Sequence, residues 1–324
     1  MKRDKGIDIL MCLAVLLVVN SHCDALYPDA WRFLATGGIF GDALFFFCSG
    51  YKLALGRMDR FDIWCKRRLV RIWPSVIVWD VLAAAVFSLP LTPTTLFDGW
   101  KPAGYWFLKC IMIHYAAFYL VFVVFGNRLK AAFGLVVSGI AVWWAVAYTP
   151  DFARTMLHAP VFEWYYLFAF TLLGGILARR GTRPRAGFLP AAAGLVGAVG
   201  LHYGWLRLVD RVPALLPVRV LCVVTLAGVV LSLFVLVRTE TLESLARNRF
   251  WGGVIALIGG LCLEVYISHS QFVTTAYNRF FPLNLAGYLA VALAAAYAIR
   301  CITRTVVQTF DRNGPYDWKA VVGI

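Results

Sequence analysis

The basic run Lys66-Arg67-Arg68-Leu69-Val70-Arg71 carries a charge, Arg71, straight into an apolar stretch that opens Ile72-Trp73. A cation inside a membrane segment is costly enough to mark a pathway or a binding site. Arg68 and Arg71 are three residues apart and Arg67 and Arg71 four, so on a helix the three guanidinium groups are expected on neighbouring faces. Guanidinium forks match phosphate oxygens, and at the mouth of a span they would hold a phosphorylated cytosolic ligand. The bland alternative is a positive anchor snorkelling to lipid headgroups. It accounts for Arg67 well and for Arg71 badly.

A second candidate is His22, at the far end of the first apolar segment and fourteen residues beyond Asp8, which is about 21 Å along a helix. Histidine is the side chain best able to take a proton from a hydroxyl near neutral pH. A lone histidine at a helix end is also a common interface residue satisfied by water. Asp8, Ser49, Glu163 and His269 form a second rank. Glu163 and His269 fall near the outer ends of their spans, at a height similar to His22. Ser49 has no base near it in sequence, and Ser49-Gly50 reads as a small-residue notch for close helix packing. Asp42, Lys52, Asp80, Lys109, His114, Arg219 and Glu264 also lie at depth. Buried charges pair, and the sequence leaves their partners open; His114 reads as a satisfied core residue.

The elements that must position these residues are helices in a membrane. The chain is 61% hydrophobic and 15% charged, with a mean hydropathy of +0.74, outside the range of soluble domains. A span takes about 20 apolar residues. Ten are predicted: roughly 7–23, 35–56, 69–89, 106–126, 131–149, 163–178, 187–206, 217–237, 251–272 and 284–303. The net charge of +14 is topological. Lys and Arg gather at the amino terminus, the 57–68 loop, Arg128 with Lys130, the 179–186 and 238–250 loops and the tail, while the opposite loops hold only Arg32, Lys101, Arg154, Arg207, Arg211 and Arg279. By the positive-inside rule both termini are cytoplasmic, and nucleic-acid binding is unnecessary. The expected fold is an all-α polytopic bundle of about ten transmembrane helices, as one domain over 1–304 with a short cytoplasmic tail, 305–324. Asp8 and the missing cleavage site make the first segment a retained anchor rather than a signal peptide. The eight cysteines show no paired spacing and read as buried apolar residues, with no metal implied.

In order along the chain come Ile7-Asp8-Ile9-Leu10 leading to His22, Phe45-Phe46-Phe47-Cys48-Ser49-Gly50, and Arg67-Arg68-Leu69-Val70-Arg71-Ile72-Trp73-Pro74. Tyr105-Trp106-Phe107-Leu108, Phe168-Ala169-Phe170 before Gly174-Gly175, and Val265-Tyr266-Ile267-Ser268-His269 follow. Together these resemble the acyltransferase 3 family of membrane O-acyltransferases, from about residue 5 to 303. The resemblance implies transfer of an acyl group, most often acetyl from acetyl-CoA, to a hydroxyl of an envelope or surface glycan or a lipid-linked saccharide, in the inner or plasma membrane. It makes His22 the catalytic histidine, and Arg68 and Arg71 the Arg-x-x-Arg motif, with Arg67 beside them at the CoA phosphates. One departure is Met11, where the family commonly has Arg or Lys; Lys5, Lys52 and Lys109 are possible substitutes. Tyr105, Trp106, Trp164 and Tyr165 would offer sugar-stacking faces or an ordinary aromatic belt. The competing readings are a glycan or small-anion transporter or flippase, for which internal repeats or broken helices are the expected signs, and a catalytically inactive export partner of the same fold.

Overall fold

The computed structural model describes residues 4–92, 105–126, 128–181, 186–310 and 314–323. Lys2, Arg3, Lys101, Arg183, Arg185 and Arg312 of the charge pattern, and most of the 90–105 excursion, lie outside them. All regular structure among the described residues is helical. The main helices are α1 (Lys5–Ser21), α2 (Gly38–Leu55), α3 (Phe61–Phe87), α4 (Trp106–Phe125), α5 (Leu129–Ala147), α6 (Pro160–Arg180) and α7 (Phe188–Arg211). They continue as α8 (Leu221–Leu236), α9 (Glu240–Arg247), α10 (Arg249–Gly260), α11 (Cys262–Ser268), α12 (Leu283–Thr309) and α13 (Trp318–Val322). By length and composition seven helices can cross a membrane, or up to nine if each of two bent pairs is one span. This is a multi-pass all-α membrane protein, with seven to nine such helices among the described residues against the ten expected. The first expected span, α1, has seventeen residues, the lower limit for crossing a bilayer.

Three expected boundaries differ for physical reasons. Helix α3 begins at Phe61, so the basic run lies in the helix rather than in a loop before it. Asp62 in its first turn suits the positive helix end, and Trp64, 1% exposed, seats that turn. The expected 238–250 loop contains α9, set at 64° to α8. The expected 251–272 span is broken: α10 and α11 meet at 53° just after Gly259-Gly260, where two successive glycines weaken the helix.

The chain forms two compact units. One comprises Met1–Ala14, Ile39–Arg57 and Ile113–Gly253; the other comprises Val15–Gly38, Met58–Met112 and Val254–Ile324. In the first unit α5 packs on α6 and α7 on α8. Helices α2 and α6 approach backbone to backbone. A Cβ on Gly50 would lie inside the Thr171 carbonyl, and one on Gly174 inside the Phe47 carbonyl, so the Ser49-Gly50 notch is filled by the facing helix. His114 is tied through both ring nitrogens, Nδ1 to Thr171 Oγ1 at 3.2 Å and Nε2 to the Trp164 carbonyl at 2.8 Å. Near the start of α1, Arg238 Nη2 donates to Asp4 Oδ2 at 2.9 Å and to the Tyr51 hydroxyl at 3.0 Å, and that hydroxyl donates to Asp4 Oδ2 at 3.1 Å. Burial pushes the Asp4 carboxyl up, but the charge and hydrogen bond of Arg238, with help from the Ile7 N–H and Tyr51, outweigh it and hold it below its ordinary 3.8.

In the second unit α3, α11 and α12 pack on one another. Ser75 with Glu264, and Trp79 and Phe87 with Phe272, show α3 and the 262–272 segment ascending together. The described part of the tail folds back on α12: Arg304 Nη1 donates to the Ala320 carbonyl at 2.8 Å and the Val321 carbonyl at 3.2 Å.

Two outcomes follow for thermal unfolding of the detergent-solubilised protein. Gly174→Ala is expected to destabilise by about 1–3 kcal/mol, because the new methyl must force α2 and α6 apart; an unchanged midpoint would remove the close approach. Asp4→Asn leaves the buried Arg238 cation without its counter-ion, at a cost of about 2–4 kcal/mol at neutral pH. Because the folded pKa is depressed, the Asp4 contribution is full above the unfolded value and is lost as pH falls through the folded one. The wild type should therefore lose its margin over Asp4→Asn as pH falls below the ordinary carboxyl value of 3.8.

Candidate active site

Two histidines meet in the second unit. The His22 and His269 rings stand edge to face, centroids 5.0 Å apart at an interplanar angle of 68°. Each follows directly on the end of a helix, His22 after α1 and His269 after α11. Each turns its ring back onto the carbonyl four residues earlier: His22 Nδ1 lies 2.8 Å from the Val18 oxygen, and His269 Nδ1 lies 2.8 Å from that of Val265 and 3.0 Å from that of Tyr266. The last carbonyls of a helix lack intrahelical donors, so this is a local consequence of placing histidine there. A carbonyl oxygen only accepts, which assigns the proton to Nδ1 in both neutral rings and a lone pair to Nε2. His22 is exposed and His269 is 3% exposed. The Tyr288 hydroxyl of α12 donates to the His269 carbonyl at 3.2 Å and also meets the Cys23 thiol beside His22, linking the two histidine-bearing segments.

The basic run lies in the same unit, and its three guanidinium groups keep different company. Arg67 is ion-paired with Asp59 in the preceding loop. Arg68 stacks on the Trp64 ring at 3.9 Å and donates to the Trp64 carbonyl at 3.1 Å. Arg71 is exposed and has no carboxylate within ion-pair distance among the described residues. One turn further on, Ser75 Oγ donates to Glu264 Oε1 at 3.1 Å, and Glu264 is 7% exposed. Arg300 of α12 lies within electrostatic reach of Glu264, Arg304 and Arg71. Arg71 to Ser75 is four residues and Glu264 to His269 five, so the basic group and the histidine pair are about 14 Å apart along the helices at 1.5 Å per residue. Nearer the histidine level of α3, the Tyr105 hydroxyl donates to Asp80 at 2.5 Å, and Tyr266, whose carbonyl meets His269, receives the Phe107 N–H at 3.3 Å.

The second unit therefore holds His22, His269, Arg67, Arg68 and Arg71. Asp8, Ser49 and Glu163 belong to the first: Asp8 is 9% exposed in α1, Ser49 is half-buried beside the Gly50 contact, and Glu163 is buried within electrostatic reach of Asp42. Met11 is buried, Lys5 half-buried, and Lys52 and Lys109 exposed. Sequence reasoning missed the alliance of Glu264 with Ser75 and Arg300. The sequence signal for Arg300 is an arginine inside the apolar pattern of α12.

A family model described as an acyltransferase domain, that of the acyltransferase 3 family, matches residues 4–302. No curated protein and no solved structure matches the chain.

Of the two imidazoles only His22 is exposed, so diethyl pyrocarbonate should modify His22 before His269 when the labelled protein is mapped by peptide mass spectrometry. Equal rates would contradict the burial of His269.

Proposed function

The chain belongs to the acyltransferase 3 family, a membrane acyltransferase by family and by its apolar helices, and we propose that it moves an acyl group, acetyl first among candidates, from cytoplasmic acyl-CoA to a hydroxyl of an envelope or surface glycan or lipid-linked saccharide. Its place is then the inner or plasma membrane, with the basic end of α3 on the cytoplasmic side. The observation that carries the reading is that one compact unit holds both a guanidinium group suited to phosphate and, about 14 Å along the helices, a pair of imidazoles. An extended pantetheine arm bridges that separation.

In this mechanism Arg68 and Arg71, with Arg67 flanking them, hold the CoA phosphates. The acceptor hydroxyl approaches His22. Its Nδ1–H is occupied by the Val18 carbonyl, so Nε2 takes the hydroxyl proton as the oxygen attacks the thioester carbonyl. The C–S bond then breaks, the acyl group stays on the acceptor oxygen, and CoA leaves as a thiolate that recovers a proton. The negative end of α1 supports the imidazolium formed on the way. His269 fixes the His22 ring from the side and is a positioning residue.

A transporter or flippase is the second reading. The two bent helix pairs speak for it, since broken helices line many transport paths. They are consecutive in the chain, however, rather than at matching positions of two repeats, so the acyltransferase reading is preferred.

Purified protein supplied with acetyl-labelled CoA and envelope glycan should release CoA in an acceptor-dependent way. His22→Ala should lower that rate by about a hundredfold to ten-thousandfold, and Arg68→Ala with Arg71→Ala should mainly weaken CoA binding. Normal transfer by His22→Ala would refute the base assignment. Absence of acceptor-dependent CoA release by the wild type would leave the transporter or an inactive partner. Mass spectrometry of envelope glycans with and without the gene should show the acyl mass difference.

A further inference from the structure

The helix α12 carries a cation that the mechanism above leaves unused. Arg300 is half-buried, and its Nη1 is buried with no hydrogen-bond partner among the described residues. A buried guanidinium N–H without an acceptor is costly, and guanidinium groups cannot shed their proton to escape the cost. Arg304, one turn further on, is committed to the carbonyl oxygens of Ala320, Val321 and Gly323 in the tail. Arg300 has no such commitment.

Its neighbours define what is missing. Glu264 is the one carboxylate among the charged groups in electrostatic reach of Arg300, while Arg71 and Arg304 add positive charge. Glu264 already accepts from Ser75, which lies one turn above Arg71 on α3. Arg71 and Arg300 thus come from different helices, lie within electrostatic reach of one another and, with the one carboxylate Glu264 in reach of Arg300, leave an excess of positive charge. Two guanidinium groups arranged so are complementary to a phosphate or pyrophosphate group, whose oxygens accept several N–H bonds at once.

We propose that Arg300 and Arg71 form the two jaws of a phosphate clamp, with Glu264 orienting Arg300, and that the clamp takes the phosphates of the acyl donor. The proposal rests on the acyl-CoA reading and adds to it a ligand-binding residue on α12. The same chemistry is offered by an anionic phospholipid headgroup, so the test must separate the two.

Full-length protein is purified in detergent as wild type, Arg300→Gln, Arg300→Lys and Arg71→Gln. Binding of CoA and of pantetheine, which has no phosphates, is measured by calorimetry, and retained phosphatidylglycerol is measured by native mass spectrometry. Arg300→Gln is expected to weaken CoA about tenfold to a hundredfold, to leave pantetheine unchanged, and to be partly rescued by Arg300→Lys. Equal loss of CoA and pantetheine would make Arg300 a structural residue and overturn the clamp. Unchanged CoA affinity with loss of phosphatidylglycerol would assign the jaws to lipid and likewise overturn it. If Arg71→Gln weakens CoA and Arg300→Gln does not, the clamp fails while the donor reading stands. If the wild type binds no CoA, the donor reading falls and the clamp with it.

Discussion

A carboxylate enclosed by apolar helices must be met by hydrogen bonds and opposite charge, and in the second unit Glu264 is one such carboxylate, alongside the Asp80 that Tyr105 caps. Glu264 takes a hydrogen bond from Ser75 on α3 and draws Arg300 of α12 into its field. It thereby ties α11 to α3 by a hydrogen bond and influences Arg300 of α12 through its charge, at the level where the basic run enters the apolar part of α3. The break after Gly260 makes this possible, since it lets α11 start afresh at an angle to α10 and present Glu264 to Ser75. A buried ion group of this kind is weak evidence for stability.

The histidines illustrate chemistry obtained from chain ends. A helix that stops leaves carbonyl oxygens unsatisfied, and an imidazole placed just past the last turn supplies the missing donor from Nδ1. The result is a fixed tautomer with the basic nitrogen turned away from the helix. Because α1 and α11 both end this way, two rings with the same proton arrangement meet at 5.0 Å. His114 shows the contrasting outcome: within a helix, with both nitrogens engaged by Thr171 and Trp164, it has become part of the packing.

The first unit is held by fit rather than by reactive groups. Gly50 and Gly174 admit the facing backbone, where dispersion over a close contact replaces the hydrophobic drive that is absent inside a membrane. At the basic end Asp4, Tyr51 and Arg238 join the chain's beginning to α2 and the turn after α8. Arg238 further covers the Phe234 ring at 4.3 Å, so its apolar stem and charged head are both used.

Composition and hydropathy by themselves determined the class, an all-α multi-pass membrane protein, because a backbone in hydrocarbon must close its own hydrogen bonds and long apolar runs leave helix as the local means of doing so. The ordered motifs likewise made the family legible, and the Ser49-Gly50 notch announced a close helix approach. The tertiary structure alone decided which polar residues share a unit: His269 rose from the second rank to stand against His22, while Asp8, Ser49 and Glu163 went to the other unit. It also gave Arg67, Arg68 and Arg71 three separate environments and brought Arg300 to Glu264. The physical reason is that hydropathy is a local, additive property of a segment, whereas the pairing of charges depends on the rotation of each helix and on breaks such as that at Gly260, which only the packing of distant segments sets.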